Sequence, residues 1–411
     1  LMPWFADFYS PFIPAAFELL GYDAENLPPS DEKTVEYGLK YSNNEICYPA
    51  TLVVGDFIKA LHSGKYRREE IALGITQTGG QCRATNYITL MKKAMIAAGF
   101  EDIPVIAVST GAGSINEQPG FTIDWKKVIV PVITCLAYAD CLSQMYYATA
   151  PREREKGIAG KLKQKYIDFG VEAIRKGNSN ILYGLAQKAA VEFNGMNTHA
   201  GIPRIGIVGE IYVKYNNFGH KNVVNWLIEQ GVEPVTPPLT AFLTDGFVNA
   251  AARVEGNLAE RKRLKKAVFF AADKYVTHVN KKMREYCIAF PYIQSLGTPE
   301  DDARKASLII NTNAQFGEGW RIPAEFAHFA ESGVNNVVSL QPFGCIANHI
   351  VSKGIEKRTR ELYPSLNLLF LDFDSGMAET NIFNRLHFMV KNAREEMKKH
   401  ACITLADVSN Y

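Results

Sequence analysis

Several absences narrow the 411-residue sequence first. Basic and acidic side chains nearly cancel, 45 against 43 for a net charge of +2. Composition therefore gives no sign of the concentrated positive face that nucleic acid requires, and no nucleic-acid partner is expected. The longest apolar run, Val128 to Ala139, contains Pro131 and is closed by Asp140. It falls short of the roughly 20 residues of a membrane span, so no membrane association is expected. The opening Leu-Met-Pro-Trp-Phe lacks the charged, apolar and small-residue sections of an export signal. A start on Leu1 leads to the expectation that the sequence is a piece of a longer chain. Seven cysteines are too few for a disulfide scaffold, and without an export signal a reducing cytoplasm is the expected setting. Also missing are a C-x-x-C pair, a solenoid-period repeat and any low-complexity segment. STGAGS (Ser109–Ser114) lacks the Lys-Ser/Thr of a phosphate-binding P-loop.

What is present is globular: 47% hydrophobic and 21% charged residues, in a chain long enough for two domains. Apolar strand patterns alternate with helical ones. Ile71–Gln77 reads as a buried strand, Thr85–Phe100 as an amphipathic helix stopped near Gly99, and Ile103–Ser109 as the next strand. This is a βαβ unit, which implies parallel pairing. The pattern returns in Arg204–Glu210, the helix His220–Gly231 and the short strand before Pro237 and Pro238. It returns again in Asn335–Gln341, the helix around NHIVSKGIEKRTREL and Asn367–Asp374. Residues about 155–195 and 246–288 carry helical periodicity, and Phe193–Pro203 has linker composition. The expected fold is α/β, with two Rossmann-like or flavodoxin-like parallel-sheet domains, helical insertions and a cleft between them. The expected domains are an N-terminal one over 1–200, holding Cys47 and Cys82, and a C-terminal one over 201–411, holding Cys345.

Those three cysteines share a setting. Cys82 (QTGGQCRATNY) and Cys345 (SLQPFGCIANHI) each follow a predicted strand and head a predicted helix, and Cys47 (NNEICYPATLVV) precedes a helix with Pro49 in its first turn. Unpaired N–H groups at a helix start favour thiolate over thiol. Loops after the carboxyl ends of parallel strands form the ligand crevice of open α/β sheets. Gly79, Gly80 and Gly344 keep the neighbouring backbone slim. Against this stands the plain reading of cysteine as a small buried hydrophobe, and separations of 35 and 263 residues are no metal-binding signature by themselves. Cys135, Cys141, Cys287 and Cys402 are expected in core packing. Cys135 and Cys141, six apart, would face different sides of a helix.

The words around the three cysteines carry a resemblance. KYSNNEICYPATLVVGD, QTGGQCRATNY, GEIYVKYNNF, QPFGCIANHIVSKG and YPSLNLLFLDFDSGMAETNIFNRLH resemble the iron–sulfur component of 2-hydroxyacyl-CoA dehydratases and benzoyl-CoA reductases. They are closest to the version at the end of large activase-fused proteins, and the resemblance runs from about Trp4 to about Val390. It implies a 4Fe–4S cluster on Cys47, Cys82 and Cys345 in the interdomain cleft, with one iron open to a ligand. It also implies an ATP-dependent activase domain or protein that delivers single electrons, a related subunit or homodimer, and a CoA-thioester substrate. In such enzymes the electron gives a ketyl radical from which the 2-hydroxyl group departs, while the reductases of the family add electrons to an inert bond. NNVVSLQPFGC lacks the further cysteine many relatives carry before that motif.

Other readings attach to the same residues. An 8Fe–9S double cubane would draw its extra ligands from Cys135, Cys141 and Cys287. A zinc site would add His349, four residues after Cys345, although zinc is the less expected occupant. Glu45, Arg83 and His349 are the candidate substrate-orienting or second-layer residues; an ion pair for the first two and a helix-cap contact for His349 are the plain alternatives. Glu318 in GEGW (Gly317–Trp320) suggests backbone close to the cluster or acyl group, or else an ordinary turn. ERKRLKK (Glu260–Lys266) is either a contact for coenzyme A phosphates or a solvated helix face. The expected function is a low-potential reductase or dehydratase component. The alternative is a non-catalytic electron-transfer or zinc-stabilised binding module of a larger protein.

Overall fold

The computed structural model describes residues 1–43, 45–77, 80–109, 120–260, 263–294 and 297–408, and their side chains except at 263–266 and 399–408. STGAGS beyond Ser109, Gly79, the side chain of Cys402 and nearly all of the 260–266 basic run lie outside the described residues.

Among the described residues six strands form two parallel sheets, so the chain is α/β. β1 (Leu73–Thr76) pairs with β2 (Val105–Val108). The crossover between them includes the helix Tyr87–Ala98, closed by Gly99 in the left-handed conformation at φ +77°. The second sheet takes β3 (Arg204–Gly209), β4 (Glu233–Val235), β5 (Asn336–Pro342) and β6 (Asn367–Phe373) in the order β4-β3-β5-β6. All three pairings in it are parallel. β5 is central and every one of its residues is buried, as a strand covered on both faces must be.

Buried contacts cross residue 200 in two places. Leu73 and Ile75 of the first sheet share one apolar cluster with Ile205, Ile207 and Leu340 of the second. A helical cluster joins Phe12, Tyr138 and Phe193 to Val276 and Met283, which come from the second half of the sequence. The linker reading of Phe193–Pro203 is corrected at its start: Phe193 to Met196 finish the helix Ile181–Met196.

The apolar run Val128–Ala139 lies within a longer helix. Pro131 and Asp140 both lie inside the helix Trp125–Thr149. Proline removes one intrahelical bond, and burial of the surrounding Val128, Ile133, Tyr138 and Leu142 offsets that loss. Asp140 does not end the helix because its carboxylate has partners elsewhere. It accepts from the Tyr9 hydroxyl at 2.6 Å, the Thr240 hydroxyl at 2.6 Å and the Leu239 N–H at 2.8 Å. By length and composition the segment Trp125–Arg152 could cross a membrane, yet 72% of its apolar window is buried inside the protein, which is how a core helix behaves.

Candidate functional site

The order β4-β3-β5-β6 makes the chain leave β3 and β5 toward opposite sides, which opens a crevice beyond their carboxyl ends. Gly209 ends β3 at φ +132°, where an added Cβ would stand 2.1 Å from the Leu340 carbonyl oxygen. That close approach lets the Glu210 N–H donate to the same oxygen at 3.2 Å and sets Glu210 at the mouth of the crevice. β5 leads through Phe343 and Gly344 to Cys345. Gly344 has φ +75°, and its missing Cβ would meet Cys47 Cα at 3.0 Å. Beside it the Tyr48 N–H donates to the Phe343 carbonyl at 3.0 Å. The Cys47 and Cys345 segments are therefore in backbone contact.

Cys47 caps the helix Tyr48–His62, with Pro49 in the first turn. Cys82 precedes a short 3-10 turn, Arg83–Asn86, that feeds the helix Tyr87–Ala98. Arg83 Nη1 donates to the Glu45 carbonyl at 3.3 Å, which ties the Cys82 segment to the Cys47 segment. Cys345 leads into a π-type turn, Ala347–Ser352, and then the helix Glu356–Leu362. The single helix expected there is thus two pieces, and π turns recur at functional sites.

Each sulfur has hydrogen-bonding partners, and main-chain N–H groups of Ala50 and Asn348 also reach Cys47 and Cys345. The Tyr87 hydroxyl lies 3.3 Å from Cys47 Sγ, the Ala84 N–H donates to Cys82 Sγ at 3.5 Å, and Asn348 Nδ2 donates to Cys345 Sγ at 3.1 Å. Burial pushes the Cys47 thiol up, with Tyr87 and Arg83 opposing the shift. Although Cys82 is exposed to solvent, partial desolvation by the surrounding segments raises its thiol, against the Ala84 N–H, and negative charge at Glu318, Glu210 and Cys47 adds to the effect. Cys345 is pushed up by burial and then by the same two glutamates, against the Asn348 amide.

Half-buried Glu210 and buried Glu318 lie within electrostatic reach of one another. Burial raises Glu210 to about 8, helped by the charge of Glu318 and opposed by the Val213 N–H, which donates to it at 2.8 Å. Burial raises Glu318 as well, against the Ile211 N–H that donates to it at 2.7 Å. Three thiols and two carboxyls thus share one electronegative region, with Arg83 the cation acting on Cys47. Soft sulfur donors suit iron–sulfur or zinc chemistry, and bound iron would supply the positive charge that such a set favours. Among the described residues no three His, Cys, Asp or Glu side chains converge on a single-ion site. A polynuclear cluster does not require that convergence, because each thiolate binds its own iron.

The remaining predicted residues are distributed differently. Glu45 is exposed, and it is its main chain that receives Arg83. His349 has Nε2 3.4 Å from Asp372 Oδ1, without a hydrogen bond from that nitrogen among the described residues, and its ring against Phe343. Its neighbour Asn348 reaches Cys345 instead. Glu318 of the GEGW turn is buried within electrostatic reach of Cys82 and Cys345. Cys135, Cys141 and Cys287 pack in the helical cluster, with the Cys141 thiol hydrogen-bonded to Cys287. Sequence reasoning missed Glu210, Tyr87 and Asn348 as site residues. Position immediately after a βαβ strand was the signal available for Glu210. No family model matches this sequence, and no curated protein matches it.

Proposed function

We propose that the chain is the iron–sulfur component of an ATP-dependent low-potential reductase or dehydratase system, with a 4Fe–4S cluster on Cys47, Cys82 and Cys345. The observation that carries this reading is the meeting of the three cysteine segments beyond the strand ends of both sheets, each sulfur provided with hydrogen-bond donors. When bound, such a cluster supplies single electrons at low potential and a Lewis-acidic open iron. The order β4-β3-β5-β6 corresponds to the first four strands of a flavodoxin-like sheet and supports a Rossmann-like or flavodoxin-like reading of the second half.

The residues have separable tasks. Gly344 allows Cys345 to close against Cys47, and Arg83 holds the Cys82 turn to the same segment. The Glu210–Glu318 pair holds a proton near neutral pH beside the sulfurs. Electrons come from an activase domain or protein, the substrate is a CoA thioester, and a related subunit or second copy completes the assembly. The cytoplasm is the proposed location. His349 facing Asp372 favours a cluster over a Cys3His zinc site. Placement of Cys135, Cys141 and Cys287 in the helical core favours one cubane over a double cubane.

The test is spectroscopic. The anaerobically reconstituted, one-electron-reduced protein should change its electron paramagnetic resonance signal when a 2-hydroxyacyl-CoA is added. A signal indifferent to a panel of short, branched and aromatic acyl-CoAs would replace the enzyme reading with that of an electron-transfer module.

A further inference from the structure

Main-chain N–H groups serve all three sulfurs, Ala84 at Cys82, Ala50 at Cys47 and Asn348 at Cys345, and two of the sulfurs have a side-chain donor besides. Cys47 meets the Tyr87 hydroxyl and Cys345 the Asn348 carboxamide. A sulfur bound to iron carries no proton, so in a loaded site the phenol and the amide are the donors. Asn348 is fully buried and its Oδ1 has no partner among the described residues. The hydrogen bond recorded for its side chain is therefore the one to the sulfur. Its main chain is fixed too, because Gln341 Nε2 of β5 donates to the Asn348 carbonyl at 3.2 Å. Tyr87 belongs to the helix that follows Cys82 yet reaches Cys47, so one cysteine segment supplies the donor for another.

A donor pointed at a ligating sulfur draws electron density from it and stabilises the more negative, reduced cluster, which raises the reduction potential. We propose that Tyr87 and Asn348 are positioning residues that raise the reduction potential of the cluster through hydrogen bonds to Cys47 and Cys345. The inference rests on the cluster reading above and adds to it a role for two side chains that bind no metal. The two effects are separable, since each side-chain donor serves a different sulfur, while the main-chain donors are constant across side-chain variants.

The test uses the full chain, reconstituted anaerobically, as parent, Tyr87→Phe, Asn348→Leu and the double variant. Iron and sulfide are counted in each, and midpoint potentials come from redox titration followed by electron paramagnetic resonance. Parent-like iron content is expected, with a more negative midpoint in each single variant and the most negative in the double. Equal midpoints in iron-loaded parent and variants overturn the inference and leave the cluster reading intact. A parent that takes up no iron sinks both. Should Asn348→Leu lose iron, Tyr87→Phe decides alone, because it removes a single oxygen atom. A second readout needs no Asn348 variant: transfer to D2O should shift the Fe–S(Cys) stretching bands of the parent, and Tyr87→Phe should reduce that shift. A shift unchanged by Tyr87→Phe contradicts the role of Tyr87.

Discussion

At the end of β1 and again at the end of β5 the chain runs through a buried glutamine, a glycine, a cysteine and a helical turn. The two glutamines do the same job. Gln77 Nε2 donates to the Thr85 carbonyl at 2.9 Å and Gln341 Nε2 to the Asn348 carbonyl at 3.2 Å, so each strand end grips the turn that follows its cysteine. The settings differ. β5 lies between β3 and β6 and is buried along its length, and Gly344 presses its turn onto Cys47. β1 pairs with β2 on one side and only briefly with Leu1 on the other, through main-chain bonds of Leu1 to Ala72 and Gly74. An added Cβ at Gly80 would meet nothing within 4 Å, and Cys82 is exposed where Cys345 is half-buried. One design of turn thus gives a tightly seated sulfur beside a central strand and an open one beside a two-stranded sheet. Burial of the strand, more than the local sequence, sets how firmly the cysteine is held.

The sharpest way to break this comparison is at the glycines. Gly344→Ala combines a left-handed residue with a collision against Cys47 Cα and should destabilise the protein by about 2–4 kcal/mol. Gly80→Ala, with a free approach and no positive φ, should stay within about 0.5 kcal/mol. Urea unfolding of the metal-free proteins measures both, and equal midpoints for the two variants would end the claim that the turns differ.

The next effect is pH-dependent and belongs to the crevice beside β5. Glu210 rises in the fold from the ordinary 4.5 to about 8. The folded state therefore binds extra protons across that window, so stability is greatest below about 4.5 and declines as pH climbs toward about 8. Glu318 shifts in the same direction. His220 is buried neutral and lowered to about 4, so its contribution runs the other way, gained as pH rises from about 4 to 6.5, and is complete before the upper part of the Glu210 window. Metal-free Glu210→Gln should lose the decline above pH 6.5, a difference on the order of 2 kcal/mol between pH 6.5 and 8. Parallel stability curves for parent and variant would contradict it.

The glutamines sharpen the comparison with a smaller effect. Gln341→Leu leaves the buried Asn348 carbonyl without that donor and should cost about 1–2 kcal/mol. Gln77→Leu acts on a less buried turn and should cost less, about 0.5–1 kcal/mol. The order of the two unfolding midpoints is the readout, and a reversed order would place the firmer turn at β1.

Much of this was legible in sequence where one physical signal dominated. β1, β3, β5 and β6 are apolar runs bounded by polar or glycine positions, and their observed limits lie within two residues of the predicted ones. Cys47 at a helix cap could be read from Pro49. What escaped depends on partners distant in sequence. Asp140 closes an apolar run in the sequence, and nothing there shows that its partners are Tyr9 and Thr240, 131 and 100 residues away. His349 drew attention at an α-helical spacing from Cys345, but the turn is π-type and Asn348 reaches the sulfur. Glu210 reads in sequence as the last residue of a strand, whereas it caps the helix Ile211–Tyr215, and its coupling to Glu318 depends on a proximity made only in the fold.

The central claim is that Cys47, Cys82 and Cys345 together hold one iron–sulfur cluster. Its most direct test is the content of iron and acid-labile sulfide per chain after anaerobic reconstitution, compared in the parent, Cys345→Ser and Cys135→Ser. The account predicts about four of each in the parent, a clear loss in Cys345→Ser, and parent-like values in Cys135→Ser, whose sulfur packs in the helical core. A parent without iron and sulfide, or a Cys345→Ser protein that retains both in full, would contradict it.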